Sequence, residues 1–425
     1  VKRPATFSVP AHALTTRHLG AAYPLVAEPG LGHRGVLVGH DLLGGSFVFD
    51  PFELYRSGTL SNPNMIVFGQ IGRGKSALLK TYLWRQSVFG RRAWVVDPKG
   101  EYERLAELWG VTPVALRPGG SIRLNPLDPV RPSSGVPAGG GADDPGRRQA
   151  ELLASLASAC LGRSLQPRER AAVDLALAAV AVGGPVPTVP KVVAALLDPD
   201  ERSAARVRTD RTRLLEDGRD VALELRRLVD GDLRGMFDGE TSEGLDLSGP
   251  LVVLDLSALY SSAALGVLMA CATAWLQAAL SWQAGAEPAF VVVDEAWAIL
   301  ANLGVARWLQ SSWKLSRAHG VANVAVLHRL SDLSAVGAVG SEQVNLAEGL
   351  LSDSETIVIY AQPAAEVARA ADLLGLSSTE ADLVPQLRRG VALWKVGRRS
   401  FLVRHVVAEA ERALVDTDAA MAAGR

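Results

Sequence analysis

Short, unbroken apolar runs recur along the chain, each ending at glycine, proline, serine or aspartate: Met65–Phe68, Ala93–Val96, Leu251–Asp255, Ala289–Val293, Val321–Leu327 and Thr356–Tyr360. Continuous rather than alternating apolarity predicts strands buried on both faces, as in a mostly parallel sheet covered by helices. A helix is predicted from Lys75 to Phe89 and an amphipathic one up to about Trp109. Strand, crossover helix and strand again imply ligands at the carboxyl ends of the strands. Two stretches do alternate. Val36-Leu37-Val38 and Phe47-Val48-Phe49 across Gly44-Gly45 predict a β-hairpin, and Val391–Val396 with Phe401–Val407 around Gly397 predict another.

The pattern changes after "IRLNPLD". The run from Arg131 to Gly146 has the composition of a flexible linker. Beyond it, roughly Arg147 to Val229 shows helical periodicity, with turn signals at Gly162, at Gly183-Gly184-Pro185 and at Asp217-Gly218, and almost no strand signal. The expected organisation is an N-terminal β-rich segment over 1–60 packing on an α/β domain built from 61–130 and 237–425, with an all-α domain over 131–236 inserted into it. The longest apolar stretch, Ala264 to Leu280, is broken by Thr273 and Gln277 and reads as a buried helix rather than a membrane span.

Composition narrows the function classes. With 425 residues, 48% hydrophobic and 21% charged, the chain has the profile of a folded protein of two or three domains rather than a disordered one. A formal net charge of −1 gives no global basic field for nucleic acid. Arg202, Arg206, Arg208, Arg211 and Arg213 read as solvated helix faces paired with nearby carboxylates. Cys160 and Cys271 lie far apart with no metal-ligand spacing, which argues against zinc and a disulfide framework and fits a reducing, cytoplasmic setting. No signal peptide is read, and a first residue of Val is expected of a piece of a longer chain.

The chemistry centres on Gly69-x-x-x-x-Gly74-Lys75-Ser76, between an apolar strand and a helix. This spacing is that of the phosphate-cradling loop of nucleotide triphosphatases, in which backbone N–H groups wrap a phosphate at a helix N-terminus. Gly69, Gln70, Ile71, Gly72, Arg73, Gly74, Lys75, Ser76 and Ala77 are therefore expected to bind ATP, with Lys75 on the β- and γ-phosphates and Ser76 on Mg²⁺. Hydrolysis also needs a carboxylate for the metal and one for water at another strand end. Phe290-Val291-Val292-Val293 runs into Asp294 and Glu295, which supply both. Asp255 is a rival for the metal role but lacks a neighbouring glutamate, while Asp97 and Glu101 could reach the γ-phosphate or cap the next helix. His328 and Arg329, at the end of the strand Val321–Leu327, are candidates for sensing the γ-phosphate, and Arg317, then Arg388 or Arg389, for acting on a neighbouring subunit's nucleotide.

Taken together, "GQIGRGKSALLK", "WVVDPKGEY", "LNPLD", "GMFDG", "LVVLDLSAL", "VVVDEAW" and "HRLSDL" resemble the motor ATPases of type IV secretion and conjugation systems, the VirB/TraC-type family of the HerA/FtsK superfamily, from about Asn62 to His405. The resemblance implies a RecA-like P-loop domain with an inserted all-α domain, ATP hydrolysis with Mg²⁺, and hexamers with sites at subunit boundaries. It also implies work beneath a secretion channel at the cytoplasmic face of the membrane, with other channel subunits and a coupling ATPase as partners and membrane contact only through them. By position it gives Lys75 and Ser76 to phosphate and magnesium, Asp294 and Glu295 to metal and water, and Arg317 to the arginine after the following helix. Two departures stand out: Leu327-His328 occupies the strand end where relatives usually carry Thr-Gln, and the large amino-terminal domain of such ATPases is missing or lies outside this chain. The alternatives are a DNA-translocating ATPase of the same superfamily, with DNA as partner, and a nucleotide-binding scaffold with little turnover.

Overall fold

Each central strand sends alternate residues to opposite sides, because successive side chains of a strand point to opposite faces. Ile66 and Phe68, Trp94 and Val96, Val291 and Val293 enter one core, while Met65 and Val67, Ala93 and Val95, Phe290 and Val292 enter the other. Both sides of the sheet are therefore apolar and covered, which is why the runs are continuous in sequence. The computed structural model describes residues 30–128, 145–182, 186–243, 249–260, 287–300, 320–329 and 342–415, with isolated positions between 245 and 316.

Among the described residues the strands are β1 (Val36–Asp41), β2 (Ser46–Phe49), β3 (Met65–Phe68), β4 (Arg92–Asp97), β5 (Val114–Ala115), β6 (Leu251–Asp255), β7 (Ala289–Val293), β8 (Val321–Leu327), β9 (Thr356–Ile359), β10 (Val391–Val396) and β11 (Arg399–His405). They form one 11-stranded sheet in the order β2-β1-β11-β10-β9-β3-β8-β7-β4-β6-β5. From β9 to β5 all neighbours are parallel, and from β2 to β9 all are antiparallel. The expected N-terminal β-rich segment does not stand apart from this sheet: β1 pairs with β11, Gly39 opposite His405, so the first hairpin extends the sheet at its antiparallel edge.

The helix Lys75–Gln86 buries Leu79, Tyr82 and Leu83 on one face of the sheet. Arg85 fastens its far end by pairing with Glu411, and Thr81 meets His405 at 2.8 Å. On the other face, the helices Pro145–Leu161, Pro167–Val182, Val189–Leu197, Glu201–Arg206 and Arg211–Val229 lie between β5 and β6, with no strand among the described residues of that stretch. Their entrance and exit are tied together. Leu124 N–H donates to Met236 O at 2.8 Å, Arg123 pairs with Asp238, and the buried Asn125 amide donates to Pro187 O at 2.9 Å. "LNPLD" and "GMFDG" thus lie side by side where the chain enters and leaves the helices.

Asp217-Gly218 is a correction. These residues lie inside the continuous helix Arg211–Val229 rather than at a turn. A Cβ on Gly218 would stand 3.0 Å from Leu196 Cδ2 and 3.3 Å from Ala172 Cβ, so the glycine lets three helices approach closely instead of breaking one. Arg211 and Arg213 pair with Asp198 and Glu216, whereas Arg202, Arg206 and Arg208 are exposed. Leu265 to Met269, Cys271, Ala272 and Trp275 are described; all but the partly exposed Gly266 are buried, and no helix among the described residues is long and apolar enough to cross a membrane. Most of the expected linker from Arg131 to Gly146 lies outside the described residues, and Pro145-Gly146 already begin a helix.

Candidate active site

The site forms at the carboxyl ends of β3, β8, β7 and β4, which stand side by side. Strand spacing decides between the candidate carboxylates. Asp294 follows β7, two strands from β3 and so about 10 Å across the sheet, whereas Asp255 ends β6, four strands and about 19 Å away. Asp255 instead accepts a local hydrogen bond from Ser257 N–H at 2.9 Å. Asp97, on β4, accepts from Lys99 N–H at 3.1 Å and Tyr102 N–H at 2.9 Å, shaping the turn after its strand; burial pushes its carboxyl up.

After β3 the chain turns through Gly69 to Gly74, and Lys75 opens the helix. Gly74 has φ +113°, a backbone that side-chain-bearing residues rarely adopt. A Cβ on Gly69 would lie 2.7 Å from Tyr360 Cβ, so the loop packs directly on the chain after β9. Gly390 N–H donates to Arg73 O at 3.0 Å and buttresses it from the other side. Ile71 projects at the loop tip, 79% exposed, while Gln70, Arg73, Ser76 and Ala77 are half-buried.

Lys75 is only 6% exposed. Its ammonium donates to the carbonyls of Gly69 and Gln70, the latter at 3.2 Å, and lies 3.1 Å from His328 Nδ1. Burial pulls its pKa down to about 8 despite the opposing field of Asp294 and Glu295.

Asp294 and Glu295 are both buried. Burial, then the neighbouring charges of Glu295, Glu101 and Asp97, push the Asp294 carboxyl up to about 7. Tyr102 OH reaches toward its Oδ2 at 3.5 Å. Glu295 adopts φ +54°, a left-handed conformation that costs a residue with a side chain about 1–3 kcal/mol and is characteristic of functional sites. Its Oε1 meets the Lys99 ammonium and, at 2.7 Å, His328 Nε2, while Trp297 Nε1–H donates to Oε2 at 2.5 Å. Burial alone would raise this carboxyl, but the close contacts with His328, Lys99 and Trp297 prevail and hold it at about 2.

His328 therefore links the loop lysine to the glutamate, one ring nitrogen facing each. Above this chain opens a cavity of about 800 Å³ whose walls include Ile71, Tyr260, Trp297, Arg329 and Arg389. Arg388 is exposed, and Arg317 lies outside the described residues. Sequence reasoning missed Lys99 as a site residue, although it stands two positions after Asp97, where a parallel strand ends and ligands gather.

No family model matches the chain. One curated relative, an uncharacterised protein of Bacillus anthracis, is 33% identical over 69 residues, 16% of this chain and 10% of that protein's own length. VirB4 of Thermoanaerobacter pseudethanolicus superposes with a TM-score of 0.71 at 21% identity, covering 90% of this chain and 99% of that one. The chain has the VirB4 fold. The plasmid coupling protein TrwB in complex with ADP and Mg²⁺ superposes at 0.57 and 14% identity over 93% of each chain, and unbound TrwB at 0.57 and 16% over 92% of this chain and 91% of that one. At these identities the superpositions show a shared fold alone.

Proposed function

We propose that this chain is an ATP-hydrolysing motor that energises conjugative DNA transfer or type IV secretion, working as a hexamer at the cytoplasmic face of the membrane. The observation that carries the hydrolytic part is the link Lys75–His328–Glu295, which joins a phosphate-loop lysine to a buried glutamate across adjacent strands. The transport part rests on the VirB4 fold and on the TrwB structures with ADP and Mg²⁺ and with an ATP analogue.

The chain's own residues have separable tasks. Backbone N–H groups from Gly72 to Ser76 and the Lys75 ammonium bind the phosphates. Glu295, fixed by Trp297, orients the attacking water and accepts its proton. Asp294, raised to about 7 by burial and then by the charges of Glu295, Glu101 and Asp97, is a carboxylate that a divalent cation would relieve, and with the half-buried Ser76 hydroxyl it would hold Mg²⁺. When bound, Mg²⁺ neutralises charge on the phosphates. Arg317 or Arg389 is proposed as the arginine acting on a neighbour's nucleotide.

A phosphate-release assay on the full chain tests this. Lys75→Ala is expected to abolish turnover, and Glu295→Gln to keep nucleotide binding while stopping hydrolysis. Wild-type turnover by either variant refutes the site. Salt-sensitive stimulation by DNA in the same assay would move the reading to a DNA-translocating ATPase.

A further inference from the structure

Glu295 is a poor base for water as it stands, because Oε1 faces both the Lys99 ammonium and His328 Nε2 while Oε2 accepts from Trp297. Withdrawing one of the two from Oε1 would open a lone pair there and make it a better one. Trp297 is a rigid indole two residues away, and His328 is held between Glu295 and Lys75. Lys99 differs from both, having a flexible stem, a charged head whose side chain is 22% exposed, and a position over the Tyr260 ring at 5.6 Å on the cavity wall. Its ammonium is 3.4 Å from His328 Nε2, and the other nitrogen of that ring is 3.1 Å from Lys75 Nζ. A terminal phosphoryl held by Lys75 would therefore sit across one imidazole ring from Lys99.

Resting on the hydrolytic reading above, we propose that Lys99 is a further catalytic residue: its ammonium leaves Glu295 for the terminal phosphoryl group of ATP, supplying transition-state charge in cis and freeing Glu295 for water in the same movement. The water oxygen bonds to the γ-phosphorus as the bond from that phosphorus to the β–γ bridging oxygen breaks. The electron pair stays with departing ADP, one water proton passes to Glu295 Oε1, and the other remains on the phosphate product. A phosphoryl in transfer spreads charge over three equatorial oxygens, a stronger attractor for an ammonium than one carboxylate. The pairing seen here is then the resting arrangement, with two lysines flanking one imidazole.

Lys99→Met in the full chain tests the proposal. Loss of one preorganised electrostatic stabiliser is expected to lower kcat by about 100-fold. Affinity for ADP should stay unchanged, affinity for a non-hydrolysable ATP analogue should fall, and Lys99→Arg should recover part of kcat. Wild-type or faster turnover by Lys99→Met overturns the proposal, as does a parallel loss of ADP affinity, which would make Lys99 a structural support. Glu295→Gln measured alongside separates the two levels. If it still turns over, the hydrolytic reading itself has failed; if it is inactive while Lys99→Met is not, only the role of Lys99 has.

Discussion

Lys75→Met should make the protein more stable in the absence of nucleotide and blind to nucleotide in its presence. The ammonium is buried, and burial lowers its pKa from 10.5 to about 8, so the fold disfavours the charged form by about 3 kcal/mol. Methionine has a similar length and carries no charge, but it leaves the Gly69 and Gln70 carbonyls without their donor, a loss of about 1 kcal/mol. The net expectation is a gain of about 2 kcal/mol at pH 7 in urea unfolding. The sign with pH follows from proton binding: between about 8 and 10.5 the folded chain has released the proton and the unfolded chain still holds it, so wild-type stability recovers. The advantage of the variant is therefore full below pH 8 and fades above it. Nucleotide acts in the opposite sense: Mg·ADP at a hundred times its Kd should stabilise wild type by about 2.7 kcal/mol and the variant not at all. A variant less stable than wild type at pH 7, or one that still gains from Mg·ADP, refutes the picture of a charge held in place for phosphate.

Asp294→Asn removes a carboxyl raised to about 7, whose ionisation the fold opposes. Its stability relative to wild type, measured by denaturation without divalent cations, should grow as pH rises from about 4 to about 7 and then level off; no slope, or the opposite one, contradicts the buried carboxylate cluster. Gly218→Val forces side-chain atoms against Leu196 and Ala172 and should destabilise the helical unit by about 1–3 kcal/mol in urea unfolding. An unchanged midpoint would show that these helices do not pack as closely as described.

What the sequence disclosed followed from local physics. Apolar runs such as Val321–Leu327 are continuous because both faces of their strands are covered, and the phosphate loop is legible because its backbone demands glycine at set positions. What stayed hidden depends on partners remote in sequence. The hairpin of β1 and β2 alternates like an independent unit, yet β1 is completed by β11 from the other end of the chain. Gly218 looks like a turn signal until Leu196 and Ala172 are seen against it. Lys99, His328 and Glu295 carry no shared spacing; only the strand order β3-β8-β7-β4 brings them together.

The most direct test of the account is a crystal structure of the chain with Mg²⁺ and a non-hydrolysable ATP analogue. The triphosphate should lie in the loop from Gly69 to Ser76, with its terminal phosphate between the Lys75 ammonium and the Glu295 carboxylate and the metal beside Ser76 and Asp294. Density for the nucleotide away from that loop, or a terminal phosphate turned away from Glu295, would contradict it.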